Sequence, residues 1–365
     1  MLFNKTIAVV VPAYNEETQI VQVIESMPDF VDRIVVVNDL STDNTADVVK
    51  TYIDTDSGNY YNPRIAEKTV TPNRYNEADV VLQQIFKDEI RYFTPSAIQN
   101  TQPENDRIIL INHLKNGGVG AAIARGYKWC KDNEIDCTAV MAGDGQMDPS
   151  ELEMICKPVV AENLDYVKGN RLMHKSAKFV IPKQRHFGNS VLSILTKLSS
   201  GYWRVSDTQT GYTAISLDAL KSIKLYNIYP KYGMPNDMLV KLNIASSSIR
   251  EIEIKPVYRV GEVSKMKVNK VIPRIIWLLF RSFFTRLVRK YFLRDFHPLF
   301  LFYMLAFLLS IANIPFLINI VYNMFTTDVT PISYLIIFIF LFISSLQSFF
   351  FAMWMDIQDN ERLYK

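Results

Sequence analysis

Three aspartates stand at the ends of apolar runs or in glycine-bearing turns. Asp39 follows Arg33 to Asn38, Asp144 lies in Ala142-Gly143-Asp144-Gly145-Gln146 after Thr138 to Met141, and Asp207 opens Asp207-Thr208-Gln209-Thr210-Gly211. Hard divalent cations choose oxygen ligands, and Mg²⁺ often takes one or two carboxylates with phosphate and water completing its shell. Asp144 with Gln146 offers such a partial shell. Asp148 serves either as an outer partner of that cation or, the preferred reading, as the N-cap of a helix starting near Pro149. Cationic side chains stand further along at Arg171, Arg185, Arg259 and Lys265. An Arg guanidinium is a planar fork of donors that matches phosphate oxygens, and Asn189 falls one helical turn beyond Arg185 on the same face. The chemistry these types suit is the handling of phosphate esters beside a divalent cation.

Positioning them requires a sheet. Thr6 to Val11 is a continuous β-branched and apolar run, as expected of a strand buried on both faces. A helix is predicted over Glu17 to Met27, a second strand over Arg33 to Asn38, and another helix from Ser41-Thr42-Asp43 with its own cap residues. This β-α-β-α order winds right-handed and puts ligands at the carboxyl ends of the strands. Thr51 to Asp106 is polar and rich in Asn, Tyr and Pro, an inserted excursion with one helix over Glu77 to Phe86. The sheet resumes with Arg107 to Asn112 and Thr138 to Met141, and between them Gly117-Gly118-Val119-Gly120 leads into a helix, Ala121 to Lys131. The class is α/β with a mostly parallel central sheet.

Two uncharged apolar stretches close the chain, Leu299 to Tyr322 and Ile332 to Met355. Each is about 24 residues, roughly 36 Å as a helix, enough to cross a hydrocarbon core about 30 Å thick. The first contains Pro315, which a membrane helix tolerates as a kink. Arg274, Arg281, Arg286, Arg289, Lys290 and Arg294 precede the first span and Arg362 and Lys365 follow the second, while Asn323 to Pro331 has no Lys or Arg. The positive-inside rule then places both termini in the cytoplasm, with the spans in the cytoplasmic membrane. Val271 to Arg294 mixes aromatic and basic residues and reads as one or two interfacial helices, broken from the first span at Asp295 to Pro298. The expected organisation is a catalytic domain over 1–260 with the excursion at 51–106, a juxtamembrane segment over 261–297, two spans over 298–356 and a cytoplasmic tail over 357–365.

A hydrophobic content of 49% and a mean hydropathy of +0.05 fit a membrane-bound chain of 365 residues. A net charge of +3, with the cations gathered beside the spans, gives no reason to expect a nucleic-acid partner and makes anionic lipid the likelier counterpart. Cys130, Cys137 and Cys156 form no C-x-x-C pair, and the four histidines show no zinc-ligand spacing.

The ordered runs Val11-Pro12-Ala13-Tyr14-Asn15-Glu16, Val37-Asn38-Asp39 with Ser41-Thr42-Asp43, Asn116-Gly117-Gly118, and Asp144-Gly145-Gln146-Met147-Asp148-Pro149 resemble the inverting family 2 glycosyltransferases of GT-A fold. Lys168-Gly169-Asn170-Arg171, Asp207 to Tyr212 and Gly261-Glu262-Val263-Ser264-Lys265 are similar to the branch that glycosylates polyprenyl phosphates, which includes dolichol-phosphate mannose synthases. The resemblance covers most of residues 5–270. It implies that Pro12, Tyr14, Glu16 and Asp39 hold base and ribose, with Gly118 and Lys265 also on the donor side, whereas Asn15 reads equally as a cap. It implies Mg²⁺ or Mn²⁺ at Asp144 and Gln146, Arg259 and Lys265 closing over the donor diphosphate, acceptor phosphate in the cradle of Arg171, Arg185 and Asn189, and Asp207 turned toward the reacting centre. Asp144, Asp207 and Arg259 are the expected catalytic set.

One departure matters: Ala142 stands where the family usually shows the first carboxylate of Asp-x-Asp. The implied partners are a UDP- or GDP-sugar, a polyprenyl phosphate and the lipid bilayer, with a homo-oligomer left open. An acceptor phosphate is already ionised and needs no strong base, whereas a sugar hydroxyl acceptor would need Asp207 or Asp237 as one. The chain lacks the Gln-x-x-Arg-Trp motif of processive synthases, so single-sugar transfer is preferred. The alternatives are the hydroxyl acceptor and a non-catalytic sugar-nucleotide-binding subunit of a glycan assembly complex.

Overall fold

Consecutive apolar residues make good strands only where both sheet faces are covered, and this sheet is covered on both. The computed structural model describes residues 1–55, 72–181, 183–257, 268–326 and 331–365, and does not describe the side chains of 178, 183–189 and 268–270. Strand β1 (Ile7–Ala13) is buried throughout, as is β2 (Arg33–Asn38). Along β1, Ile7, Val9 and Val11 feed one core, while Ala8 and Val10 feed the core on the opposite face. The first core is closed by helices α1 (Ile20–Glu25) and α2 (Thr45–Thr55), joined by α5 below.

Helix α1 begins later than the expected Glu17. Residues 15–17 are pinned to the next loop instead: Asn15 N donates to Ser41 Oγ, Glu16 N to Thr45 Oγ1 and Glu17 N to Asp43 Oδ2, at 3.0, 3.0 and 3.2 Å. Asn15 itself takes a left-handed φ of 56° and accepts from Thr42 N.

The excursion is built onto the domain. It supplies α3 (Glu77–Asp88), a following 3₁₀ turn over Glu89–Tyr92, and a short edge strand β3 (Ser96–Ile98) that pairs antiparallel with β4 (Ile108–His113). Helix α4 (Val119–Asp132) holds it from beneath: Lys131 pairs with the buried Glu89, Lys128 Nζ donates to Phe86 O at 2.9 Å, and Arg125 Nε donates to Ser96 Oγ at 2.8 Å.

Strand β5 (Cys137–Val140) lies parallel beside β1, followed by α5 (Leu152–Ala161). The remaining strands are β6 (Tyr166–Asn170), β7 (Thr213–Ser216) and β8 (Ile249–Glu253). Between them come α6 (Ala177–Val180), α7 (Lys183–Ser200), α8 (Leu217–Ser222) and α9 (Met234–Ile244). The sheet order is β3-β4-β2-β1-β5-β7-β6-β8. Pairs β1–β2, β1–β5, β2–β4 and β6–β8 are parallel, and β7 is antiparallel to both of its neighbours.

Helix α10 (Val268–Arg286) runs on through a π-helical turn, Leu287–Phe292, before α11 (Pro298–Thr326) and α12 (Ile332–Glu361). The last two are long and apolar enough to cross a membrane, with hydropathies of 2.2 and 2.3. Ser345 Oγ on α12 donates to Ala306 O on α11 at 2.9 Å.

The juxtamembrane segment differs from free interfacial helices. One side of α10, which packs on α7 and α9, is buried through Ile275 and Leu279, Phe283 meets Tyr303 further along the chain, and Arg286 and Lys290 are sealed inside rather than lipid-facing. Arg286 pairs with Asp356 through two bonds of 2.7 and 2.8 Å and donates to the carbonyls of Leu198 and Ser199 at the end of α7. The segment expected as a tail is also docked. Helix α12 continues to Glu361, after which Ile249 N donates to Leu363 O at 2.7 Å and Lys365 N to Ile249 O at 3.0 Å, adding the C-terminus to the edge of β8. The eight-stranded sheet, the start of α11 and the end of α12 therefore lie at one end of the helical hairpin.

Candidate active site

The order of the sheet reverses at β1, which has β2 on one flank and β5 on the other, and the crevice beyond such strand ends is where an open α/β sheet accepts ligands. Pro12 sits in the last turn of β1, with Tyr14 39% exposed just past it and Glu16 on the loop pinned to residues 41–45. Asp39 N donates to Ala13 O at 2.9 Å, which draws the end of β2 onto the end of β1.

The Asp39 carboxylate is nearly enclosed, at 4% exposure. Its Oδ1 accepts from Gly117 N and from His113 Nδ1, and its Oδ2 from Gly118 N, each at 2.7 Å. A carboxylate has about four acceptor positions, so one on Oδ2 remains among the described residues. His113 was given no role by the sequence reading, and Asn116, which stood there only within the Asn-Gly-Gly run, donates its Nδ2 to Asp39 O at 3.0 Å. The available signal was a histidine closing an apolar strand just before two glycines.

Gly118 plays a different part from that of an amide donor to a ligand, because its N–H is given to Asp39. Its φ of 89° and the Pro230 carbonyl, 2.5 Å from where a Cβ would stand, require glycine here. Gly120 is tighter still, with Tyr229 O at 2.1 Å from a would-be Cβ, and Pro230 O accepts from Gly120 N and Ala121 N. The Tyr229–Pro230 turn thus straps the start of α4.

Asp144 lies beyond β5, on a loop held to the end of β1 by Gly143 N donating to Pro12 O at 3.2 Å. Asp144 Oδ1 accepts from Gln146 N at 3.1 Å, and Gly145 makes the turn at φ 71° with open space around it. Ala142 N is directed at Met147 Sδ, 3.3 Å away. Among the described residues no group of three acidic, His or Cys side chains gathers for a metal. A carboxylate and an amide oxygen on one half-buried turn fit a hard cation whose shell comes chiefly from a diphosphate and water. Asp148 accepts from Ser150 N at 2.9 Å and caps the turn at Pro149, as expected.

Across the crevice, Arg171 and Asp207 meet each other. Arg171 Nε and Nη2 donate to the two Asp207 oxygens at 2.8 and 3.0 Å, and Arg171 N adds a third bond at 3.1 Å. Asp207 is 2% exposed. Burial alone would push its carboxyl up, but the bonds and charge of Arg171, with Lys168 nearby, prevail and hold it below the usual carboxylate range. The ammonium of Lys168 is fully buried, which lowers it to about 8, and it donates to Thr210 O. Glu251 organises this loop by accepting from Ser206 N and Asp207 N, both at 2.9 Å, and was not singled out from sequence. Tyr212 Oη donates to Asp148 O at 2.9 Å, which joins the Asp207 loop to the Asp144 loop.

Asp237 lies on α9, where it accepts from Tyr229 N at 2.8 Å and pairs with Lys241. Arg185 and Asn189 fall in the first half of α7, but their side chains lie outside the described residues, as do Arg259 and Lys265 altogether.

The chain is similar to several known glycosyltransferases. A UDP-N-acetylglucosamine–dolichyl-phosphate N-acetylglucosaminyltransferase of Methanococcus voltae is 27% identical over 70% of this chain and 87% of its own. A dolichyl-phosphate beta-glucosyltransferase of Trichomonas vaginalis is 25% identical over 77% of this chain and 74% of its own. A glucosyl-3-phosphoglycerate synthase from Mycobacterium tuberculosis, crystallised with Mn²⁺, UDP and glucosyl-3-phosphoglycerate, aligns over 78% of this chain and 80% of its own at 15% identity and a TM-score of 0.45, too distant to carry a ligand assignment. The sequence pattern of Glycosyl transferase family 2 matches residues 8–74 and 85–224, so a doubly covered sheet with carboxylates at the β1–β2–β5 crevice is here the catalytic domain of a glycosyltransferase, and the chain belongs to that family.

Proposed function

We propose that this chain transfers one sugar from a UDP- or GDP-sugar to a polyprenyl phosphate, at the cytoplasmic face of a bilayer crossed by α11 and α12. An acceptor phosphate oxygen attacks the anomeric carbon, the bond from that carbon to the donor's β-phosphate oxygen breaks with inversion, and the nucleoside diphosphate leaves. The observation that carries this reading is the state of Asp207 and Asp237, the two carboxylates a hydroxyl acceptor would need as base. Asp207 is locked to Arg171 with its proton affinity lowered, and Asp237 is bound to Lys241 and Tyr229 N behind α4. A weakened, buried base suits an acceptor that arrives already ionised.

In this mechanism Pro12, Tyr14, Glu16 and Asp39 hold the nucleoside, with the open acceptor position on Asp39 Oδ2 taking a ribose hydroxyl. Asp144 and Gln146 hold Mg²⁺ or Mn²⁺, which when bound stabilises the charge of the departing diphosphate. Arg259 and Lys265 neutralise the same diphosphate from the segment before α10. Arg171 commits its fork to Asp207, so it contributes as a positioned pair, and the acceptor phosphate falls mainly to Arg185 and Asn189. The relatives named for dolichyl-phosphate acceptors support the same acceptor class.

The test is capture of labelled sugar in the organic phase by the detergent-purified chain, given UDP- or GDP-sugars with either polyprenyl phosphate or the matched polyprenol. Label appearing only with the phosphate, and released by mild acid as a glycosyl phosphodiester should be, supports the reading. Label on the polyprenol, or on a lipid-linked sugar alone, contradicts it.

A further inference from the structure

Between α9, α10 and the segment 222–230 lies a cleft of about 820 Å³ that the transfer reaction does not use. Lys224, Lys241, Arg281, Arg289 and Arg294 line it, with Asp237 as the opposing charge. Two of these cations are already committed. Lys241 pairs with Asp237, and Arg294 pairs with Asp295 while donating to Ile244 O and Ser246 Oγ. The side chains of Lys224, Arg281 and Arg289 are exposed and have no acceptor among the described residues. Among the described residues their positive charge is not paired.

Arg281 and Thr285 on α10 and Arg289 on the π-helical turn that follows it are spaced four residues apart, and all three line both the cleft and an apolar shelf. Trp277, Phe280, Phe284 and Val288 form the shelf, with Trp277 67% exposed and stacked on Phe280 at 5.8 Å. A row of Arg forks with an aromatic surface beside it matches one class of molecule, a lipid with a phosphate headgroup and acyl chains. Because α10 leads directly into the first apolar helix, such a molecule is at hand wherever α11 and α12 cross a bilayer.

We infer that this cleft binds the headgroup of an anionic phospholipid, with phosphate between Arg281, Arg289 and Lys224 and an acyl chain along Trp277 and Phe280. Among the described residues on the acceptor side, neither Arg171 nor Asp207 lines it. Its inner wall is the Tyr229–Pro230 turn, whose far side straps Gly118 and Gly120, so an occupied cleft braces the donor loop from behind. The inference rests on the membrane part of the proposed function alone, and its test reads lipid binding, so failure of the acceptor assignment leaves it untouched.

The experiment follows the unfolding midpoint of the full-length protein in a neutral detergent as short-chain phosphatidylglycerol, phosphatidylcholine of the same chains, or inorganic phosphate is added. The expected result is a saturable rise with phosphatidylglycerol only. Arg281→Gln with Arg289→Gln should weaken half-saturation by about fivefold for each cation removed, and Lys224→Gln, at an exposed site with no partner among the described residues, by about fivefold. Equal responses of wild type and both variants overturn the site, and a matching rise with phosphatidylcholine or with phosphate alone overturns the lipid assignment.

Discussion

Arg171 and Asp207 face each other as a two-pronged pair, guanidinium edge to carboxylate edge, at 2.8 and 3.0 Å. The pair fixes the turn after β6 to the loop before β7, and Asp207→Asn removes the charge that the buried guanidinium bonds require. Stability should fall by about 2–4 kcal/mol, somewhat less than for a fully buried pair because Arg171 keeps some solvent contact. Thermal unfolding in detergent measures it. Since Asp207 is not the base in this account, whatever turnover survives should have a pH–rate profile of unchanged shape.

The same carboxylate sets an acid limit. Its folded pKa lies below the unfolded value of about 3.9, so its stabilisation is complete above that unfolded value and is lost as pH falls through the folded one. The difference in unfolding midpoint between wild type and Asp207→Asn should be constant above about pH 5 and shrink below about pH 4. A difference that instead grows toward low pH would mean that Asp207 is held protonated.

Arg286 and Asp356 are both fully buried and join α10 to the end of α12. Asp356→Ala leaves a guanidinium sealed with only carbonyls and Tyr291 for company, at a cost of about 3–5 kcal/mol. Removal of residues 363–365 strips the pairing from β8 and should also lower the midpoint, while both variants keep the apolar hairpin. Limited proteolysis between α10 and α12 reads the loosening.

Gly120→Ala has nowhere to put its methyl group, with Tyr229 O at 2.1 Å and a Pro230 carbon at 2.9 Å from it. The expected cost is about 2 kcal/mol or more, together with weaker nucleotide binding as the strap moves off α4 and Asp39 loses its amide donors. Calorimetric titration with the nucleoside diphosphate checks the second part.

Asp144→Asn should weaken metal-dependent nucleotide binding by at least the tenfold to 100-fold that a metal's outer partners are typically worth. Mn²⁺ titrated in the presence of the nucleoside diphosphate measures it. Unaltered metal dependence would remove Asp144 from the cation's shell.

The first half of the sheet was legible because β1, β2 and β4 are unbroken apolar runs that only a doubly covered sheet tolerates. The second half was not, since β6, β7 and β8 are short, and Lys168, Asn170 and Glu251 put charged or polar side chains at buried positions that pair locally. The edge strand β3 escaped notice as three half-exposed residues in a polar stretch. Arg286 and Lys290 read as headgroup cations because their partners, Asp356, Asp359 and Asn360, are about 70 residues away at the end of an apolar helix. Site residues were recognisable individually, but the pairing of Arg171 with Asp207 and of Asp39 with Gly117 and Gly118 exists only once the strand ends are brought together.

The central claim is transfer to a phosphate that needs no protein base. The most direct measurement is the initial rate of nucleoside diphosphate release from UDP- and GDP-sugars by the purified chain, with polyprenyl phosphate or polyprenol, each with Mg²⁺, Mn²⁺ or a chelator. The account predicts release that requires both the lipid phosphate and a divalent cation, for one nucleotide class. Equal release with the polyprenol, or undiminished release under chelator, contradicts it.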